Sequence, residues 1–324
     1  MPKPEPHVLA LAETLRSVVG ADDNKTWDHI REYWARSPQR ELEPQALLTP
    51  EDYRGEERLS ISCTQTDLSA TEQHKLVEKW SEALPGFTHV RWLYFNSKTP
   101  QQLFQAACEL PSLEGMYIKW SAVNELSPLT QCKSLRYLHI GSSASIASIH
   151  PLATLTQLKW LQVSNVKAAT SLEPLSSLVG LEGLGFTGSE FKNFKVESFA
   201  PLSSLTQLQW LHLGGVHTQD LSLRCLIGLR NLKYLGVGNF FPVEEFARLS
   251  LYFDTSVCEW AQPYVKLHSS VFPCRKCKKN WRVKTSGKGS RLLCPTCDSL
   301  ELARRVIRFM SAKDAALQEV GDDQ

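Results

Sequence analysis

Leu135-Arg136-Tyr137-Leu138-His139-Ile140 returns 23 residues later as Leu158-Lys159-Trp160-Leu161-Gln162-Val163. The same phrase recurs as Leu181-x-x-Leu184-x-Phe186, Leu208-x-x-Leu211-x-Leu213 and Leu232-x-x-Leu235-x-Val237. Two looser copies come first, Val90-x-x-Leu93-x-Phe95 and Leu113-x-x-Met116-x-Ile118. The starts at 90, 113, 135, 158, 181, 208 and 232 are spaced by 23, 22, 23, 23, 27 and 24 residues. Alternating apolar positions mark a short strand, and a near-constant step marks units that stack, each closing its neighbour's core. A stack has no upper size limit, which suits 324 residues better than one ordinary core does.

Between the strands, Pro-Leu recurs at Pro128-Leu129, Pro151-Leu152, Pro174-Leu175 and Pro201-Leu202. Each pair opens a run with leucine at every third position, such as Leu152, Leu155, Leu158 and Leu161, which predicts tight 3₁₀-like turns. The 27-residue step adds residues around Ser189–Ser198, with Phe191 and Phe194, and predicts a protruding loop. Ahead of the repeats, Leu59-x-Ile61 reads as a strand. Ser69-x-x-Glu72 is a capping box before a helix carrying Leu76, Val77, Trp80 and Leu84. Thr99-Pro100 starts another helix, to about Glu109. Near the end, Val243 to Leu251 predicts a last helix and Ser256–Trp260 a last strand.

Residues 7–19 and 26–36 both read as amphipathic helices, the first on Leu11, Leu15, Val18 and Val19, the second on Trp27, Ile30, Tyr33 and Trp34. Asp22-Asp23-Asn24 is placed to cap the second. Together they are expected to cover the open end of the repeat core, which terminal repeats require. Pro38, Pro44 and Pro50 make 37–55 a linker.

These short repeats with Pro-Leu before the leucine triplets resemble those of internalin-type leucine-rich repeat proteins, over roughly residues 85–250. The resemblance implies an α/β fold, a solenoid with a concave parallel β-sheet, and binding of a partner. One departure concerns the Asn that family places eight residues after the first leucine; here those places hold Ser121, Ser143, Val166, Ser189, Val216 and Phe240. The expected organisation is a helical N-terminal cap and linker (1–54), the solenoid (55–262), a small zinc ribbon (263–300) and a C-terminal helix and tail (301–324).

If side chains alternate along each strand, the third, fifth and seventh positions face the concave surface. The third holds Trp92, Gly115, Tyr137, Trp160, Gly183, Trp210 and Tyr234; the fifth holds Tyr94, Tyr117, His139, Gln162, Gly185, His212 and Gly236. The second supplies a mostly basic border: Arg91, Glu114, Arg136, Lys159, Glu182, Gln209 and Lys233. Aromatic and Arg side chains dominate binding hot spots, so this column is the candidate site for a protein partner. The competing reading is that the rings stack on one another or lie under a terminal segment.

Cys274-x-x-Cys277 and Cys294-x-x-Cys297 supply four thiolates for a tetrahedral, closed zinc site, with structural Zn²⁺ as the expected metal. Trp281-Arg282-Val283 and Leu292-Leu293 can pair as a hairpin through Ser286-Gly287-Lys288-Gly289-Ser290, and the segment resembles a zinc ribbon. Cys274-Arg275-Lys276-Cys277 lacks the glycine usual after the second cysteine. The other cysteines, Cys63, Cys108, Cys132, Cys225 and Cys258, read as core thiols.

The net charge of +2 hides a split. Residues 1–264 hold 23 Lys+Arg against 28 Asp+Glu, and residues 265–310 hold 12 against 2. Lys276, Lys278, Lys279, Arg282, Lys288 and Arg291, with Trp281 among them, form a candidate nucleic-acid contact, the alternative to the protein-binding scaffold. No nucleophile triad, paired catalytic acids or phosphate loop stands at a meaningful spacing, so an enzyme is not expected. No apolar stretch is long enough to span a membrane, the first residues do not read as a secretory signal, and nine cysteines suit a reducing, cytoplasmic setting.

Overall fold

A computed structural model describes residues 4–17, 43–142, 144–188, 193–268, 273–279 and 281–322. The expected second N-terminal helix, with its cap at 22–24, lies outside them. The chain forms two compact units, one of Trp34–Asp220 and Gly228–Leu232, the other of Met1–Tyr33, Leu221–Ile227 and Lys233–Gln324.

In the larger unit seven strands pair in parallel: β1 (Arg58–Ile61), β2 (Trp92–Thr99), β3 (Gly115–Ser121), β4 (Tyr137–Ile140), β5 (Trp160–Ser164), β6 (Gly183–Thr187) and β8 (Trp210–Leu213). Each repeat phrase sits in the same register as the next, so Leu138, Leu161, Leu184 and Leu211 form one buried row. Ile140, Val163 and Phe186 form a second. This is an α/β leucine-rich repeat solenoid.

The return turns are 3₁₀ at Ser127–Gln131, His150–Thr154, Glu173–Leu175 and Ala200–Ser204. Proline opens each one, where no N–H donor is needed, and Leu129, Leu152, Leu175 and Leu202 point inward. Three residues per turn bring every third leucine to the same side. Where the family's Asn would tie turns together, Val166 and Val216 are buried instead. Backbone bonds link successive turns directly: Ser121 N to Gly141 O (2.9 Å), Asn165 N to Thr187 O (2.7 Å) and Gly188 N to Gly214 O (2.8 Å).

The first repeat is enlarged by α2 (Ala70–Ala83), and the Ser69–Glu72 capping box is formed in both directions. Trp80 is fully buried and donates from Nε1 to Leu48 O (3.0 Å). The helix α3 (Gln101–Cys108) follows β2 directly. Thr99 is the last residue of β2 rather than a cap, its hydroxyl donating to Ser97 O. Part of the proline-rich stretch is not a plain linker: Leu47 bridges Ile61, with bonds from Leu47 N to Ser60 O and Ser62 N to Leu47 O. The insertion near 190 is also more ordered than a loop. Its β7 (Phe194–Val196) pairs in parallel with β9 (Val216–Thr218), because alternating Phe194, Lys195 and Val196 can bury Val196 and set Phe194 edge-on to Phe186; residues 189–192 lie outside the description.

The smaller unit holds β10 (Tyr234–Val237), α4 (Val243–Leu249), an antiparallel sheet of β11 (Tyr264–His268), β12 (Trp281–Thr285) and β13 (Leu292–Leu293), and α5 (Ser299–Asp322). Ser256–Trp260 is a turn, not a strand. The Asp254 carboxylate accepts from Ser256 N (2.8 Å) and Val257 N (3.2 Å), and that local bonding competes with a ladder.

The helix α1 (Pro6–Ser17) departs furthest from expectation. Val8, Ala12 and Leu15, spaced four and three apart, are buried with Val283, Leu293, Leu302 and Ala303. Its apolar stripe is therefore used on the C-terminal module rather than on the first repeat. The hairpin β12–β13 is in turn fixed to the last repeat. Asn239 accepts from Gly287 N (2.6 Å) and donates to Thr285 O (2.9 Å), and Lys288 N reaches Phe241 O (2.6 Å). Gly287 has φ +92°, and a Cβ there would sit 2.7 Å from the Val243 Cα. Ion pairs Arg248–Glu319 (2.8 Å) and Arg308–Glu244 (3.0 Å) join α4 to α5.

Candidate partner-binding face and metal centre

Strand register puts Trp92, Gly115, Tyr137, Trp160, Gly183 and Trp210 in one row across β2 to β8. Residues two strands apart are about 10 Å apart at the backbone. The rings nevertheless meet, Trp92 with Tyr137 at 5.2 Å and Trp160 with Trp210 at 5.5 Å between centroids. They do so by leaning across the intervening strand. A Cβ on Gly183 would lie 2.2 Å from the Trp160 ring, so only glycine leaves room for that stack. The row is two aromatic pairs, the second closed over Gly183, and not an open column. Arg58 sits 5.0 Å from the Trp92 ring centre and donates to the Tyr94 hydroxyl (3.1 Å).

The fifth-position row is more closed still. Tyr94, Tyr117, His139 and Gln162 are buried, and Tyr117 stacks on His139 at 4.5 Å. Trp210 is buried as well. These five were expected as contact residues; their rings and amides pack against neighbouring strands instead. Burial alone pulls the His212 imidazole down to about 4, so it is neutral at pH 7. Its ring lies against Gly214, where a Cβ would be 2.6 Å from Nε2. Trp92, Tyr137 and Trp160 remain half-buried, and Arg136 and Lys159 beside them are exposed. Lys233 and Tyr234 belong to the smaller unit.

The basic border is largely neutralised within the sheet. Arg91 pairs with Glu114 (2.7 Å) and Glu57 (3.4 Å), and Lys159 with Glu182 (3.0 Å). These pairs are at least partly exposed and contribute little to stability, but they cancel charge along the border that was expected to be mostly basic.

Sequence reasoning missed Trp120. Its side chain is 43% exposed, and Lys119 Nζ lies 4.7 Å from its ring centre. The pairing of β2 with β3 slips between Phe95 and Lys98, leaving one extra residue in β2. Such bulges re-aim side chains. A signal was present: the seventh position is Lys119 here but Gly141, Ser164, Thr187, Gly214 and Gly238 in later copies.

In the smaller unit the four Sγ atoms of Cys274, Cys277, Cys294 and Cys297 all lie within 4.8 Å of one another, with Cys277 and Cys294 3.5 Å apart. Four thiolates 2.3 Å from a tetrahedral zinc would stand about 3.8 Å apart, so this cluster could hold a metal ion. Each hook is shaped by its backbone: Lys278 N bonds Cys274 O (2.9 Å), and Asp298 N bonds Cys294 O (2.7 Å). Lys276 pairs with Asp298 (3.0 Å) and Lys279 bonds Thr296 Oγ1 (2.9 Å), clasping hook to hook. Lys278, standing where glycine is usual, takes φ +60°.

Lys276, Lys278, Lys279, Lys288 and Arg291 are exposed. Arg282 is half-buried and donates to Pro273 O (2.8 Å). Trp281, expected to be an exposed stacking platform, packs instead against the cluster formed by α1, α5 and the hairpin. No helix among the described residues is long and apolar enough to cross a membrane.

No protein-family model matches the chain, and no curated protein matches it. Among solved structures, an internalin C2 from Listeria monocytogenes is 22% identical, covering 48% of this chain and 63% of that one, with a TM-score of 0.38. An internalin (inlF) from the same organism is 23% identical over 56% and 61%, at 0.37. A leucine-rich repeat protein of Leptospira interrogans is 16% identical over 66% and 64%, at 0.44. The chain thus spans less than two thirds of the length of each of these neighbours.

Proposed function

We propose that this chain is a non-catalytic protein-interaction scaffold, in a reducing, cytoplasmic setting. It takes its partner on the outward face of β2 to β5. The observation that carries this reading is the pair of preformed aromatic stacks. Trp92, Tyr137 and Trp160 are held rigid by stacking, with part of each ring open, beside the exposed Arg136. Rigid aromatics next to arginine give contact area with little ordering entropy left to lose. Trp120 and Lys119 extend the surface at the strand ends. The ligand surface is therefore narrower than the full column, and its buried members hold it in shape.

The Cys274, Cys277, Cys294 and Cys297 cluster is proposed to hold one zinc ion in a closed structural role. Four sulfur ligands leave no position for substrate, so the metal would supply folding energy only. Metal analysis of the purified protein should return one zinc per chain, and a Cys277→Ser/Cys294→Ser variant should return none.

The test of the scaffold is capture from native lysate, with and without nuclease, comparing wild type with Arg136→Glu and Trp120→Ala. Neither change removes a buried group. A nuclease-resistant protein captured by wild type and lost by the variants supports the reading. Recovery of nucleic acid, with the variants behaving as wild type, would shift the function to the basic module around Lys278, Lys288 and Arg291.

A further inference from the structure

Three residues before the first leucine of each later repeat stands another leucine: Leu110, Leu155, Leu178, Leu205 and Leu229. The repeat starting at Leu135 breaks the rule with Cys132. The preceding helix α3 ends in Cys108 and packs beside the turn Ser127–Gln131 that leads into Cys132. Both cysteines are buried and reduced, with Cys132 Sγ 3.6 Å from Cys108 O. A thiol is smaller than an isobutyl group, and a half-open surface pocket lined by both cysteines, Glu109, Leu113, Gln131 and Lys133 lies at this spot. As packing alone, the exchange of leucine for cysteine is a loss.

From this geometry we infer that Cys108 and Cys132 are a reversible thiol–disulfide pair that staples two consecutive repeats under oxidation by a peroxide. Cys108 ends α3 and Cys132 follows the neighbouring 3₁₀ turn, and their two thiols are close enough to hydrogen-bond each other, the proximity that a disulfide requires. With hydrogen peroxide as oxidant, one thiol gains the hydroxyl of a sulfenic acid and one water leaves. The second sulfur displaces that hydroxyl, the S–S bond forms and a second water leaves. Two thiols give up two electrons and two protons, and the peroxide is reduced to water. The hydrogen bond that the Cys108 thiol makes with Cys132, and burial, hold Cys108 well above its usual range, so it is protonated and stays reduced until oxidant is in excess. Burial also pushes the thiols of Cys63 and Cys258 up, to about 11 and about 12.

The experiment treats folded, zinc-loaded full-length protein with hydrogen peroxide, alkylates the remaining thiols after denaturation, and maps the peptides by mass spectrometry. Circular dichroism confirms that the fold persists during treatment. A Cys108–Cys132 cross-linked peptide that disappears with dithiothreitol is the expected result, with two fewer alkylated thiols than in untreated protein. Cys132→Leu restores the repeat residue; it should fold with a higher thermal midpoint when reduced, and leave Cys108 alkylated after the same treatment. Recovery of Cys108 and Cys132 both alkylated, their oxidation to sulfinic acid, or a cross-link that forms only after unfolding would overturn the proposal.

Discussion

The repeats and the C-terminal module close their cores by different means. Along β4 to β8 each strand brings the same two or three apolar side chains, and each row continues through its neighbours. The core is distributed, and no single residue is indispensable. Around β12 and β13 the buried cluster draws on three distant pieces of chain: Val8, Ala12 and Leu15 from the start, Val283 and Leu293 from the hairpin, Leu302 and Ala303 from the last helix. The four-cysteine cluster proposed to hold zinc would be the staple beside those pieces. A distributed core yields gradually when it is damaged, whereas a stapled one should yield all at once.

Metal removal is the largest test of that difference. Zinc binding to such small modules is worth about 10–16 kcal/mol near neutral pH, most of it coupled to folding. Chelation should therefore abolish hydrogen-exchange protection in β12, α5 and α1 together, while β4 to β6 keep theirs. Simultaneous loss in the repeats would show that the two cores depend on one another and end the comparison.

The repeats have their own weak point at His212. Its imidazole is held at about 4 against the usual 6.5, because burial disfavours the charged form. The sign follows from proton counting. Between those values the unfolded chain binds a proton that the native protein does not, so stability is full above pH 6.5 and falls as pH drops toward 4. The loss is about 3 kcal/mol at its limit. His212→Gln should flatten the pH dependence of the urea midpoint in this window. An unchanged slope would mean that other groups set it.

How much of this was legible beforehand depended on what kind of fact was asked for. The strand rows were readable because apolar spacing directly records which side of a strand is buried. The four-cysteine cluster was readable because the ligand chemistry of a metal site fixes both residue type and interval. The destination of α1 was not: the spacing of Val8, Ala12 and Leu15 says that one face is buried, but nothing about what buries it. The concave row was half readable. Aromatics at Trp160 and Trp210 stood out, yet their contact depends on Gly183, whose contribution is an absent atom. Trp120 escaped because its exposure follows from a slipped register, whose one trace in the repeats is Lys119 where later copies hold Gly, Ser or Thr.

The same substitution placed in both regions sharpens the contrast. Gly183→Ala would set a Cβ 2.2 Å from the Trp160 ring, and Gly287→Ala one 2.7 Å from the Val243 backbone. A ring can swing aside, and overpacking of that kind costs about 1–3 kcal/mol. Gly183→Ala should alter the near-ultraviolet circular dichroism of the Trp160–Trp210 stack within that range. Backbone cannot swing, and Gly287 also holds φ +92°, which penalises any side chain by a further 1–2 kcal/mol or so. Gly287→Ala should therefore destabilise more, and should expose the Phe241–Val243 amides to exchange. Equal effects would argue that the hairpin turn relaxes as readily as a side chain does.

The smallest effect runs in the opposite direction. Lys278 follows the second cysteine of its hook with φ +60°, a conformation that a residue with a Cβ adopts at a penalty and glycine adopts freely. Its N–H bonds Cys274 O, and that bond is independent of the side chain. Lys278→Gly therefore keeps the hook's geometry and removes the local strain. Glycine's larger unfolded-state entropy offsets part of the gain, leaving about 0.5–1 kcal/mol in favour of the variant. If the hook folds with the proposed zinc, the gain should appear as a few-fold slower loss of zinc to a competing chelator, with the repeats unchanged. A faster loss would place the benefit of Lys278 in its charge near the four thiolates and not in its backbone.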